Sequence, residues 1–224
     1  MKTILFFALI LAAFASAFYP QSPAPAGTDS KAKHEALISR ANALQDAGKI
    51  EEAIVVYKEL LNLDPNDAET MATIAGNYSG MGKLDEATVW VKKAITADPK
   101  LAGARINYGN ILFLQNKYPE AEAEFRKAVE FDPKEVLAHY GLAISLQQQA
   151  KHKDALGQFL KVIEIDPKMD TAIYSAAEAY YRLGQLDKSI EMIEKTLQVN
   201  PNYRGAKEML ETLKKEKAAK PQSL

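Results

Sequence analysis

The prolines at 65, 99, 133, 167 and 201 fall 34 residues apart, with no insertion or deletion between them. Each sits in a similar phrase: "ELLNLDPND", "AITADPKLA", "AVEFDPKEV", "VIEIDPKMD" and "TLQVNPNYR". A strict period of this length constrains the fold severely, because every unit must be one supersecondary element that buries its apolar face against copies of itself. Within each phrase an apolar helical run meets Asp or Asn and then proline, whose ring and missing amide hydrogen halt the helix. Polar residues such as Asn66 and Asp67 then start the next one.

Counted from His34, the units are 34–67, 68–101, 102–135, 136–169 and 170–203. The spacing predicts two helices in each. In the first unit Leu37, Ala41 and Leu44 recur at helical intervals, and Ile50, Ala53, Ile54, Tyr57, Leu60 and Leu61 do so again after Gly48. Gly48, Gly82 and Gly184 share a slot where a backbone of positive φ is expected to end the first helix, and Asn116 and Ala150 stand there in the other units. Two further slots hold only very small residues: Ala41, Ala75, Gly109, Ala143 and Ala177 at one, and Ala53, Ala87, Ala121, Ala155 and Ser189 at the other. Helices approach closely only where both faces are small, so these slots mark the tightest contacts. Tyr78 and Tyr180, and Tyr57, Phe125 and Phe159, fill the gaps. Ala121→Leu is therefore expected to cost about 1–3 kcal/mol by overpacking, read as a lowered melting midpoint. Glu122→Leu, on the face expected to point outward, should cost little.

The small, aromatic and proline slots together resemble the tetratricopeptide repeat, whose pattern is W-x2-L-G-x2-Y, then A-x3-F, then P. The five matching units span three quarters of the chain. The resemblance implies an all-α fold, a right-handed superhelical α-solenoid of five helix-turn-helix repeats, closed by a C-terminal capping helix. The tryptophan slot departs from the pattern with Leu37, Met71, Arg105, His139 and Ile173, and Arg105 and His139 there imply local polar contacts. The leucine slot departs at Arg40, in a first repeat with nothing stacked on its outer side. Residues 204–224 are expected to supply a capping helix and a basic tail, the stripe Ala206, Met209, Leu210 and Leu213 covering the last repeat.

Residues 1–17, "MKTILFFALILAAFASA", carry Lys2, an apolar run from Ile4 to Ala15 and small residues flanking Ser16, the pattern of a secretory signal peptide cleaved after Ala17. The run is short for a bilayer span, which needs about 20 residues. An exported location, periplasmic or secreted, is the expectation. Residues 18–33 begin with a Pro- and Ala-rich stretch read as an unfolded linker. With no cysteine in the chain, stability rests on packing.

Little in the sequence points to a reaction. "GNYSGMGKL" at 76–84 looks like a phosphate loop but has the wrong glycine spacing, Leu84 in place of the hydroxyl, and no preceding strand. "NYS" at Asn77 matches a glycosylation acceptor but sits within a helical pattern. His34, His139 and His152 occupy unrelated slots, which disfavours a metal site, and no nucleophile motif occurs. No enzyme activity and no cofactor is expected. A formal charge of -1 gives no field that would gather nucleic acid.

The resemblance places ligands in a concave groove lined by the first helix of each unit. The residues expected to line it are Ile106, Asn110, Phe113, Tyr140, Ile144, Gln147, Tyr174, Glu178 and Tyr181. Unit one offers Glu35, Ile38, Asn42, Gln45 and Asp46. The basic residues that form a carboxylate clamp in co-chaperones of this family are missing from the corresponding slots, where only Asn42 and Asn110 match. The expected function is a non-enzymatic exported scaffold that binds a protein or peptide segment in the groove through shape and aromatic contacts. The alternative is a self-associating component of a cell-envelope or secretion assembly, with the groove taking a neighbour's terminus.

Overall fold

The structure, a computed structural model, describes residues 26–219. Among them are eleven helices and no strand: α1 (Ala26–Asp46), α2 (Ile50–Leu63), α3 (Ala68–Gly80), α4 (Leu84–Ala97), α5 (Ala102–Leu114), α6 (Tyr118–Phe131), α7 (Val136–Gln148), α8 (His152–Ile165), α9 (Asp170–Arg182), α10 (Leu186–Val199) and α11 (Ala206–Ala219). Every helix packs on its chain neighbour, and α3 also touches α5, as α5 touches α7. That pattern is an α-solenoid: an inner layer of first helices and an outer layer of second helices. The expected leader at 1–17 lies outside the described residues, as does the end of the basic tail. The linker reading needs correction, because α1 already begins at Ala26. Pro25 is the last proline of that stretch, and the Ser, Lys, Ala and Glu residues after it favour a helix, with Lys31 and Glu35 4.0 Å apart one turn on.

The two breaks in each unit have different chemistry. Between first and second helix the chain closes a Schellman turn: the amides of Lys49, Lys83, Lys117, Lys151 and Gln185 donate to the carbonyls of Leu44, Tyr78, Leu112, Leu146 and Tyr180 at 2.9–3.0 Å. The residue before each donor has φ between 57° and 74°, and this holds for Asn116 and Ala150 as for the glycines. An alanine in the left-handed region costs about 1–2 kcal/mol. Ala150→Gly should therefore raise stability by about 0.5–1 kcal/mol, the gain being trimmed by the freer unfolded chain. Urea denaturation checks it, and an unchanged midpoint would deny the strain.

At the proline break, Asp64, Asp98, Asp132, Asp166 and Asn200 each accept the backbone amide two residues on, at 2.9–3.1 Å. The Asp or Asn before each proline thus holds the turn that the proline begins. Asp67 then caps α3 through the Thr70 amide, and Glu135 accepts from the Leu137 amide.

The alanines of both small slots are fully buried, as are Ser189 and Gly109. The fit is tightest at Gly141, because the Phe125 ring fills the space between it and Gly109. Register shows in a second way. The tryptophan slot faces a position nineteen residues later, and the pair changes character together. Arg105 donates to Glu124 at 2.8 Å and to the Pro99 carbonyl, and one unit on His139 bonds Gln158 at 2.7 Å and the Pro133 carbonyl at 3.1 Å. In the other units the same pairs are apolar: Leu37 with Val56, Met71 with Trp90, and Ile173 with Met192. Buried polar groups need partners, so a polar residue at one position demands one at the other.

Glu122 is not on an open outer face. Its side chain is 12% exposed and accepts from Arg126 on its own helix and from Gln149 and Lys151 on the turn after α7. The expectation that Glu122→Leu is harmless is therefore withdrawn. Beyond the fifth pair, α11 sets Ala206 and Leu213 against Ala177, Leu186 and Ile193, with Lys214 and Lys217 2.8 Å and 2.6 Å from Glu194 and Asp187.

Candidate functional site

The inner layer is built from α1, α3, α5, α7 and α9, and its exposed side faces away from the second helices. On α5, Asn110 is exposed, and Phe113 is half-buried with its ring edge-to-face on Tyr118 at 5.2 Å. Ile106, expected to line the groove, is instead 7% exposed and belongs to the central core. Its slot faces the neighbouring first helices, so a large apolar side chain there packs sideways. Leu114 at the end of α5 and Leu137 at the start of α7 are more than half exposed.

On α7, Tyr140 is half-buried and sets its ring edge-to-face on Phe159 at 6.0 Å, while Ile144 and Gln147 are also half-buried. On α9, Tyr174, Glu178 and Tyr181 follow at helical intervals, and Tyr181 is 40% exposed. The Gln147 amide lies close enough to Glu178 to favour its charged form, across the gap between the two helices. The structure therefore brings Tyr140, Tyr174 and Glu178, with Gln147 beside Glu178, into one region.

One member of this region was not expected from the sequence. Tyr203, on the turn before α11, stacks on Tyr174 with ring centres 4.8 Å apart and 28° between planes. Burial raises its phenol above the ordinary value, and neighbouring Tyr140, Asp170, Tyr174 and Glu178 push it the same way. The signal was available: the equivalent residues of the other units are Asp67, Leu101, Glu135 and Met169, so an aromatic there is exceptional. Asn200 donates to Asp170 at 2.7 Å and fixes the turn that carries Tyr203 against α9.

Burial likewise raises the Glu178 carboxyl, only partly offset by the Gln147 hydrogen bond and the charge of Arg182. Folding thus favours its neutral form. For a carboxylate whose folded value lies above its unfolded one, stability is highest below the unfolded value and is lost as pH rises through the folded one. Glu178→Gln should therefore raise the melting midpoint at neutral pH by about 1–2 °C and flatten the loss as pH rises above the ordinary carboxylate range. A lower midpoint at every pH would contradict this.

At the other end of the face, the Tyr57 hydroxyl lies 3.0 Å from the side-chain oxygens of Asn42 and Gln45 and shares its one proton between them, occupying amides that the sequence offered to a ligand. The floor beside Gly76 is crossed by Asn107, whose amide donates to the Ala72 carbonyl at 2.9 Å. The Asn77 amide nitrogen is buried, which leaves no room for a glycan at that atom. Among the described residues no three His, Asp or Glu side chains are placed to hold a metal ion, and no helix is long and apolar enough to cross a membrane.

No curated protein matches this sequence. Among solved structures, PilF of Pseudomonas aeruginosa superposes with a TM-score of 0.73 at 18% identity, over 87% of this chain and 95% of its own. MamA gives 0.65 at 25% identity, over 72% of this chain and 94% of its own. YrrB, described as a tetratricopeptide-repeat protein with an unusual peptide-binding site, gives 0.64 at 24% identity, over 78% and 90%. Tetratricopeptide-repeat family models match residues 44–100, 109–150 and 171–203. Helix pairs in a 34-residue register, these matches and the shared solenoid agree: the chain is built of tetratricopeptide repeats.

Proposed function

We propose that this protein is an exported, non-enzymatic scaffold that holds a protein or peptide segment along the concave face of its first helices. The observation that carries the reading is the run of partly exposed aromatic and amide side chains on that face, Asn110, Phe113, Tyr140, Gln147, Tyr174 and Tyr181. Aromatic rings held by neighbours lose little entropy on binding, and amides between them can pair with an extended backbone. A tetratricopeptide fold supports protein partners in general, and the peptide-binding site described for YrrB supports a peptide. Export is supported by the leader pattern at 1–17, and a mature chain beginning at Phe18 is its test.

A random-peptide display library selected on the mature protein tests the reading. Enriched sequences should bind Phe113→Ala with Tyr140→Ala at least about tenfold more weakly, the loss typical of two aromatic anchors. A double variant that keeps every selected peptide would count against the groove.

A further inference from the structure

The C-terminal end of the groove differs in chemistry from the rest. Three tyrosines from three elements converge there: Tyr140 on α7, Tyr174 on α9 and Tyr203 on the turn before α11, with Tyr174 and Tyr203 stacked. Glu178 lies near them, half-buried with the Gln147 amide beside it, and Asp170 lies at the same edge, held by Asn200. Nothing in the packing of an apolar core calls for this set. Leucines would fill the volume, whereas tyrosine rings offer negative faces and Glu178 adds a carboxylate at an energetic cost.

From this convergence, and resting on the groove reading above, we propose that the tyrosine cluster with Glu178 is a pocket for a cationic side chain, a lysine or arginine of the bound peptide. Cations bind over aromatic faces within about 6 Å, more strongly where water is excluded, and a carboxylate beside the rings adds a direct partner. The ligand charge also fits the wider face. Its inner-helix slots carry Glu35, Asp46, Glu69 and Glu178 against Arg182, so acids outnumber bases there and favour a basic segment. A bound ammonium would favour the charged form of Glu178 against the burial that raises its carboxyl.

Two immobilised pools of capped random nonapeptides test this, identical except that the central residue is fixed as lysine in one and as its neutral analogue norleucine in the other. The mature protein should be retained by the lysine pool about fivefold or more over the norleucine pool. Glu178→Gln and Tyr203→Leu should each bring the ratio near one, while Glu86→Gln, which removes the same charge from α4 on the outer layer, should leave it unchanged. Glu178→Gln carries the test should Tyr203→Leu fail to fold. Equal retention of the two pools by the unmodified protein would overturn the cationic pocket while leaving groove binding intact. Loss of the preference in Glu86→Gln would overturn it too, since the net field alone would then explain it. Retention by neither pool would defeat the groove reading and this inference together.

Discussion

Gly141→Ala should destabilise the protein by about 3 kcal/mol, the upper end for a single added carbon in a packed core. A Cβ at 141 would lie 2.3 Å from the Phe125 ring, and that ring cannot retreat. Phe125 is fully buried, and its other side is closed by Gly109, where a Cβ would lie 2.8 Å away. The ring thus occupies a slot made by two glycines on successive first helices. Relief must come from moving α7 away from α6, which loosens the central cluster on both sides. Denaturant midpoints measure the loss. The diagnostic control is Phe125→Leu: alone it leaves a cavity and costs about 2–3 kcal/mol, yet with Gly141→Ala the sum should be sub-additive, because the smaller side chain admits the methyl. Additive costs would show that the two residues do not share the slot.

The second large effect concerns acid. Burial works to raise the Glu122 carboxyl, but hydrogen bonds from Lys151, Arg126 and Gln149 and the charge of Arg126 prevail and hold it at about 2. Its folded value is thus below the ordinary one. The stability it contributes is present above the ordinary value and disappears as pH falls toward the folded one, in the window between about 4.5 and 2. Glu122→Gln should cost about 2 kcal/mol at pH 7, with the deficit closing as the wild-type carboxylate protonates. The amide keeps an acceptor for one donor but leaves Arg126 and Lys151 without their counter-ion. A deficit that stays constant across pH would show a packing effect and not a charge effect.

These two sites show what the sequence made legible. The period, the paired helices, the small slots and the positive-φ turn were all readable, because each depends on backbone geometry that repeats unchanged. Gly109 was readable as small, but Gly141 was not, since its role depends on where the Phe125 ring points. Glu122 was misplaced for a related reason. Its equivalents are Ile54, Thr88, Leu156 and Ile190, a mostly inward set, yet its charge suggested solvent. The partners that make it tolerable come from the next unit's turn, which a helical wheel of one helix does not contain. The start of α1 was missed because prolines up to Pro25 gave the whole stretch an unfolded look.

The inner helix layer was legible from the period; which of its side chains meet was not. Asn110, Phe113, Tyr140, Gln147, Tyr174, Glu178 and Tyr181 follow from the inner-helix slots that the tetratricopeptide resemblance implies. Which of them meet does not, and Ile106 turns into the core. Tyr203 joins the set from outside the first helices, so no rule about inner-helix slots could include it. Its stacking on Tyr174 depends on the Asn200–Asp170 bond, a contact between the two ends of one unit.

Backbone amide shifts of isotope-labelled mature protein, titrated with a display-selected peptide, test the central claim most directly. The account predicts perturbations confined to α5, α7, α9 and the turn carrying Tyr203. Perturbations centred on α4, α6 and α8 would place the partner on the opposite layer and contradict it.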